Sequence, residues 1–163
     1  MPSRPRTHFR RCTALVVSGL AIVGSCAETV RVTPGLQPGD RVTQLYWSDA
    51  DSGVVNGRKF RLANVDAPET GGVGAAVGGA ACEREREFGF AAKAWVVAAT
   101  RPDAVTLTLS RVGAEDRYGR TVIDLQVDGR SLAELGVEQG VYRPWPHRGT
   151  RALAPKPDWC AAP

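Results

Sequence analysis

The stretch Arg61-Leu62-Ala63-Asn64-Val65-Asp66-Ala67-Pro68-Glu69 decides how the chain is read. It starts as a strand: Phe60, Leu62 and Asn64 alternate with Arg61, Ala63 and Val65, sending the two sets to opposite faces. It ends as a stiff turn, because Pro68 fixes its own φ and pushes Ala67 toward an extended conformation. Asp66 and Glu69 are thereby presented on backbone with little freedom. A guanidinium and two carboxylates gathered at one strand end suit phosphate chemistry on a hard cation. The competing reading is a helix start, with Asp66 as N-cap and Glu69 at the third helical position. The run that follows, Thr70-Gly-Gly-Val-Gly-Ala-Ala-Val-Gly-Gly79, carries too much glycine for a helix just begun. A strand-to-loop junction is expected. On this stretch alone, a functional site and a structural turn stay equally open.

Working outward, residues 41–47 read as a strand through Val42, Leu45 and Trp47, and Asp49-Ala50-Asp51-Ser52-Gly53 as a turn. Val54 and Val55 form a short strand that turns through Asn56-Gly57, a strong hairpin signal, into the strand of residues 58–65. Beyond the glycine-rich loop, residues 82–100 have helical spacing. Phe88, Ala91, Ala92, Trp95, Val96 and Ala99 make one apolar stripe. The run Glu83-Arg-Glu-Arg-Glu87 reads as a solvated first turn with no role in a site.

Pro102-Asp103 breaks that helix. Val105, Leu107 and Leu109 alternate with polar residues, Asp116-Arg-Tyr-Gly-Arg120 is a hairpin turn, and residues 121–127 alternate again through Ile123, Leu125 and Val127. Residues 131–139 form a short helix with Ser131 as N-cap, Glu134 at the capping-box position and Gly140 closing it. From Tyr142 onward five prolines predict irregular chain. The fold class is α+β, mainly β: a five-stranded OB-type barrel with the long helix between its third and fourth strands and a short helix near the end.

Residues 1–27 read as an export signal, with Arg4, Arg6, Arg10 and Arg11 ahead of an apolar run too short to span a bilayer. Two exits fit: a cut after Ala27, or a lipobox at residues 23–26 that leaves Cys26 lipidated. Residues 28–40 are a linker, 41–145 the domain and 146–163 a proline-rich tail. The whole chain has 21 Lys+Arg, 17 Asp+Glu and a net charge of +4. Four arginines and no acids fall in the signal, so residues 28–163 hold 17 of each and are neutral. The basic balance is a property of the signal, and any attraction for phosphate must come from local placement.

The same subtraction leaves Cys82 and Cys160, an even pair in an exported chain, which reads as one disulfide tying the tail to the start of the long helix. By the chain-entropy argument such a link is worth roughly 4 kcal/mol. His147 is the one histidine left, in the tail, expected on an exposed loop. That removes histidine-ligated zinc and a Ser-His-Asp triad. The remaining ligands, Asp49, Asp51, Asp66 and Glu69, are hard oxygens.

The order Asp49-Ala-Asp51-Ser52, then Arg61 to Glu69, then a helix, then Asp116-Arg-Tyr-Gly-Arg120 resembles the staphylococcal nuclease (thermonuclease-like) family over residues 41–145. The resemblance implies an OB barrel that cleaves phosphodiester bonds of DNA or RNA as an endonuclease with Ca²⁺. It implies Asp51, Asp66 and the backbone carbonyl of Ala67 as metal ligands, and Glu69 as the residue that positions or activates the attacking water. Arg61 and Arg120 are implied as the phosphate clamp. Apart from the resemblance, Tyr118 and Tyr142 have rings able to stack on a base, with Arg117 beside the first as a further substrate contact, and packing within the protein is an equal alternative for each tyrosine. The family's first metal segment reads Asp-Gly-Asp-Thr, where this chain has Ala50 and Ser52. The expectation is an exported, monomeric, Ca²⁺-dependent nuclease, periplasmic or secreted or else lipid-anchored through Cys26. The rival class is an OB domain that binds nucleic acid, or another ligand, without cutting it.

Overall fold

The computed structural model describes residues 35–161. The export signal, Cys26 and the first part of the linker lie outside the described residues. The first strands of the described residues form a three-stranded antiparallel meander, β1 (Leu45–Trp47), β2 (Ser52–Val55) and β3 (Arg58–Leu62). Asn56 and Gly57 join β2 to β3 with φ of 45° and 79°, the left-handed pair whose twist matches that of the strands. The Asn56 carboxamide adds a local reason for asparagine: it accepts from the Thr43 and Gln44 N–H groups and donates to the Arg41 carbonyl. Val55, Phe60 and Leu62 face the core, with Trp47 edge-on to Phe60.

The strand expected over residues 58–65 stops at Leu62. Asn64 takes φ 59°, and the two residues after it, β4 (Val65–Asp66), leave the main sheet. After the glycine-rich loop comes α1 (Glu83–Ala99), N-capped by Cys82. Its buried face runs Glu85, Gly89, Ala92, Val96. The stripe expected from the sequence is rotated in part: Ala92 and Val96 are buried and half-buried Trp95 packs on the core, but Phe88 is 43% exposed and Ala91 is exposed. Gly89 explains the rotation. A Cβ there would fall 2.3 Å from the Glu69 carbonyl oxygen and 3.0 Å from that of Pro68, so the helix seats its smallest residue on the loop after Asp66.

Two long strands follow, β5 (Leu107–Glu115) and β6 (Thr121–Val127), joined by the Asp116–Gly119 turn. Then come β7 (Arg130–Ser131), pairing with β6, and α2 (Leu132–Glu138), capped by Ser131 as expected. The sheet order is β1-β2-β3-β6-β5, with β3 and β6 parallel. Residues 39–42 meet β5 through three backbone hydrogen bonds, Gly39 N–H to Leu109 O, Leu109 N–H to Asp40 O and Val42 N–H to Leu107 O. Arg41 and Thr108 form a single bridge there rather than a ladder, so the barrel is not closed. The class is α+β, mainly β, and OB-like.

The tail is less irregular than its prolines suggest. It contains β8 (Arg143–Pro144), which pairs with β4, and a hairpin of β9 (His147–Arg148) and β10 (Arg151–Ala152). Cys160 is bonded to Cys82. No helix among the described residues is long and apolar enough to cross a membrane.

Candidate active site

Asp51 stands at the mouth of the turn into β2, where the Ser48 and Asp49 N–H groups both donate to the Ser52 carbonyl. Its own carbonyl accepts from Leu62 N–H, which ties the turn to the end of β3. Arg61, one residue earlier on β3, sends Nη1 to Asp51 Oδ2 at 2.8 Å and Nη2 to the Val65 carbonyl at 3.2 Å. The same Nη2 lies 3.7 Å from Asp66 Oδ1. Ala67 N–H points at Asp51 Oδ2 from 3.4 Å, and the indole of Trp145 sits against the guanidinium, 5.4 Å from its centre. Arg61 thus holds two carboxylates that are distant in sequence at one place.

Glu69 hangs from the loop that α1 supports. Glu85 Oε1 accepts from Glu69 N–H at 3.4 Å, and Glu85 Oε2 accepts from Ala81 N–H at 2.7 Å. The Thr70 hydroxyl donates to Asp49, so the two acidic turns are joined directly. Glu85 was expected in a solvated run with no role. It is buried instead, and it braces both ends of the loop that presents Glu69.

The tail closes the other side. Trp159, itself buried, donates its indole N–H to Asp66 Oδ2 at 2.8 Å. Lys156 Nζ lies 2.9 Å from Glu69 Oε1 and 3.7 Å from Asp66 Oδ1. Arg143 stacks on Trp159 at 4.2 Å and donates to the Asp158 carbonyl. Neither Trp159 nor Lys156 was singled out from the sequence. The one available signal was the cysteine pair: a bridge from Cys160 to the cap of α1 must bring its neighbours toward the loop that carries Glu69.

Asp66 is 1% exposed. Burial pushes its carboxyl up from 3.8 to about 6; the Trp159 hydrogen bond, Lys156 and Arg61 pull it down, while the Asp51 charge pushes it further up. Burial also works to lower Lys156, but Asp66 and Glu69 beside it prevail and hold it above its ordinary value.

Among the described residues no cluster of three or more His, Cys, Asp and Glu is arranged around a metal position. What the site offers is two carboxylates and the backbone of Ala67. Because the Asp51 charge helps raise Asp66, the two carboxylates lie in each other's field, and a divalent cation between them would relieve both. Hard oxygen donors fit Ca²⁺ or Mg²⁺ and not a softer metal. Ala50 puts no strain on this turn: Asn56, Asn64 and Asp128 are the described non-glycine residues with positive φ.

Arg120 stands apart from that network. Its Nε and Nη2 meet Asp116 Oδ2 at 2.8 and 2.6 Å, and its guanidinium lies 5.2 Å from the Tyr118 ring. Burial disfavours the Asp116 charge, yet Arg120 and the N–H groups of Arg120 and Tyr118 outweigh it and hold that carboxyl below its usual value. Thr121 is in register with Phe60 and Val122 with Arg61. Alternation puts Arg120 on the same face as Val122, and so as Arg61. Strand spacing and rise imply about 8 Å between the Cα atoms of Arg61 and Arg120.

Tyr118 is 58% exposed beside Arg117, whose Nη2 donates to its hydroxyl at 2.7 Å, and both face solvent at the turn. Tyr142 is different. It is 2% exposed, and its hydroxyl donates to the Ala50 carbonyl at 2.6 Å, the packing alternative of the two open for this ring. His147 is half-buried rather than exposed, with its ring edge-on to Trp145.

A family model described as staphylococcal nuclease homologue matches residues 59–150. The matched stretch contains Arg61, Asp66, Ala67, Glu69 and Arg120, while Asp51 precedes it and Lys156, Trp159 and Cys160 follow it. No curated protein matches the chain.

Proposed function

Because the chain belongs to the staphylococcal nuclease homologue family, we propose that it is an exported, Ca²⁺-dependent nuclease that hydrolyses phosphodiester bonds of DNA or RNA. The observation that carries this reading is the convergence of Asp51 with Arg61, Asp66 and Glu69 into one network of contacts, which Glu69 joins through Lys156 of the tail. The Cys82–Cys160 bond supports an oxidising destination.

Each residue has a role its chemistry suits. The Glu69 carboxylate orients the attacking water and accepts its proton. Arg61, held in place by Asp51, Val65 and the Trp145 face, keeps a permanent positive charge where negative charge builds on the phosphoryl oxygens. Arg120 grips the same phosphate from the neighbouring strand, and Tyr118 and Arg117 give the flanking nucleotide an exposed ring and a cation. Asp51, Asp66 and the Ala67 carbonyl would hold the calcium ion, which when bound supplies Lewis-acid neutralisation of the phosphate.

The test incubates the purified protein with single-stranded DNA and with RNA, in Ca²⁺ or in chelator. Cleavage in Ca²⁺ alone is expected, with Glu69→Gln and Arg61→Ala each lowering kcat/KM by about two orders of magnitude or more in protein that still folds. Cleavage indifferent to chelator would refute the metal assignment. Binding without cleavage would replace the enzyme by a binding module.

A further inference from the structure

Lys156 places a positive charge between Glu69 and Asp66, one of the carboxylates assigned to the cation. Its Nζ touches Glu69 Oε1 at 2.9 Å and approaches Asp66 Oδ1 at 3.7 Å. The residue is delivered by a built anchor. Cys160 is bonded to Cys82 at the cap of α1, Trp159 is buried with its N–H on Asp66, and the Asp158 side chain accepts the Cys160 N–H. A tether of four residues from a covalent link gives the ammonium a high effective concentration at the two carboxylates. It is also free to leave. The side chain is 42% exposed and lines a cavity of about 370 Å³ shared with Ala80, Glu85 and Trp159.

Resting on the reading that Asp51 and Asp66 hold a divalent cation, we propose that Lys156 sets the affinity of that site. Its ammonium neutralises Asp66 and Glu69 while the site is empty and is displaced when a divalent cation arrives. Both cations cannot keep their best positions, since like charges a few ångströms apart repel strongly away from bulk water. Coupling is reciprocal: if Lys156 weakens cation binding, the bound cation must loosen Lys156 by the same factor. Asp66 and Glu69 lie within the matched stretch and Lys156 lies beyond it.

The test measures Ca²⁺ binding by calorimetry on the purified wild type, Lys156→Met and Lys156→Arg. Methionine keeps an unbranched apolar stem without the charge, and arginine keeps the charge. Lys156→Met is expected to bind about tenfold more tightly, within the range usual for coupled sites, while Lys156→Arg stays near the wild type. Within the wild type, acetylation of Lys156 followed by peptide mass spectrometry is expected to speed up when Ca²⁺ is added, relative to the exposed Lys59. Equal or weaker binding by Lys156→Met, or labelling indifferent to Ca²⁺, overturns the proposal while leaving the metal assignment intact. Absence of Ca²⁺ binding in both wild type and Lys156→Met refutes the metal assignment, and this inference with it.

Discussion

Asp66→Asn is expected to make the metal-free protein more stable at neutral pH while abolishing its activity. Asp66 is 1% exposed, and its carboxyl is raised from 3.8 to about 6, chiefly by burial. Between those two pH values the folded protein keeps a proton that the unfolded chain has released. Stability therefore falls as pH rises through the window from about 4 to about 6, and stays lowered above it. The difference between 3.8 and about 6 corresponds to about 3 kcal/mol. Asparagine has the same shape and no proton to release, and its carbonyl can still accept the Trp159 N–H. The variant is expected to match the wild type near pH 4 and to exceed it by about 3 kcal/mol at pH 7, roughly 10 °C in Tm for a domain of this size. Urea unfolding in chelator at several pH values from 4 to 7 reads this directly, with a cleavage assay alongside. In saturating Ca²⁺ the gap should shrink, because the wild type alone gains from binding. A variant less stable than the wild type at pH 7, or a gap that does not change with pH, would refute the claim that the fold holds Asp66 as an uncomfortable charge.

Gly89→Ala sets a helix-propensity gain of about 1 kcal/mol against overpacking of about 1–3 kcal/mol. The intruding Cβ would meet backbone, the Glu69 carbonyl oxygen at 2.3 Å, and not a side chain that can swing away. A net loss of about 1–2 kcal/mol with a fall in kcat is expected; a stabilised, fully active variant in the same melting and turnover assays would contradict that contact. Tyr142→Phe leaves the buried Ala50 carbonyl without its partner and should cost about 1–2 kcal/mol of unfolding free energy. KM should be unchanged, since the ring is buried, and a raised KM would restore Tyr142 to substrate binding.

The elements that depend on local chemistry were legible in the sequence. Asn56-Gly57 specifies its hairpin, Ser131 and Glu134 their helix start, and the glycine run after Thr70 excludes a helix there. What misled was the face of α1. Phe88 looks like core by residue type, but the helix is oriented by what its neighbour allows, and the Pro68–Glu69 backbone allows only a glycine beneath it. That choice turns Phe88 outward and Glu85 inward. Glu85 was unreadable for a second reason: between Arg84 and Arg86 it resembles any solvated acid, and its worth lies in two N–H groups of a loop that folding brings to it. Asp51, Arg61, Asp66 and Glu69 were legible because motif order carries them. Asp51 lies outside the matched stretch, yet Arg61 ties it to the rest.

The tail shows why a crosslink and a site arise together here. Its three strands hold two residues each, too few hydrogen bonds to fix proline-rich chain against the entropy of ordering it. The disulfide and the burial of Trp159 supply what the strands do not. A buried indole must find an acceptor for its N–H, and a buried carboxylate must find donors. Trp159 and Asp66 answer each other's need at 2.8 Å. The anchoring of the tail and the setting of the carboxylate are one interaction, and Lys156 is carried into the site as its consequence.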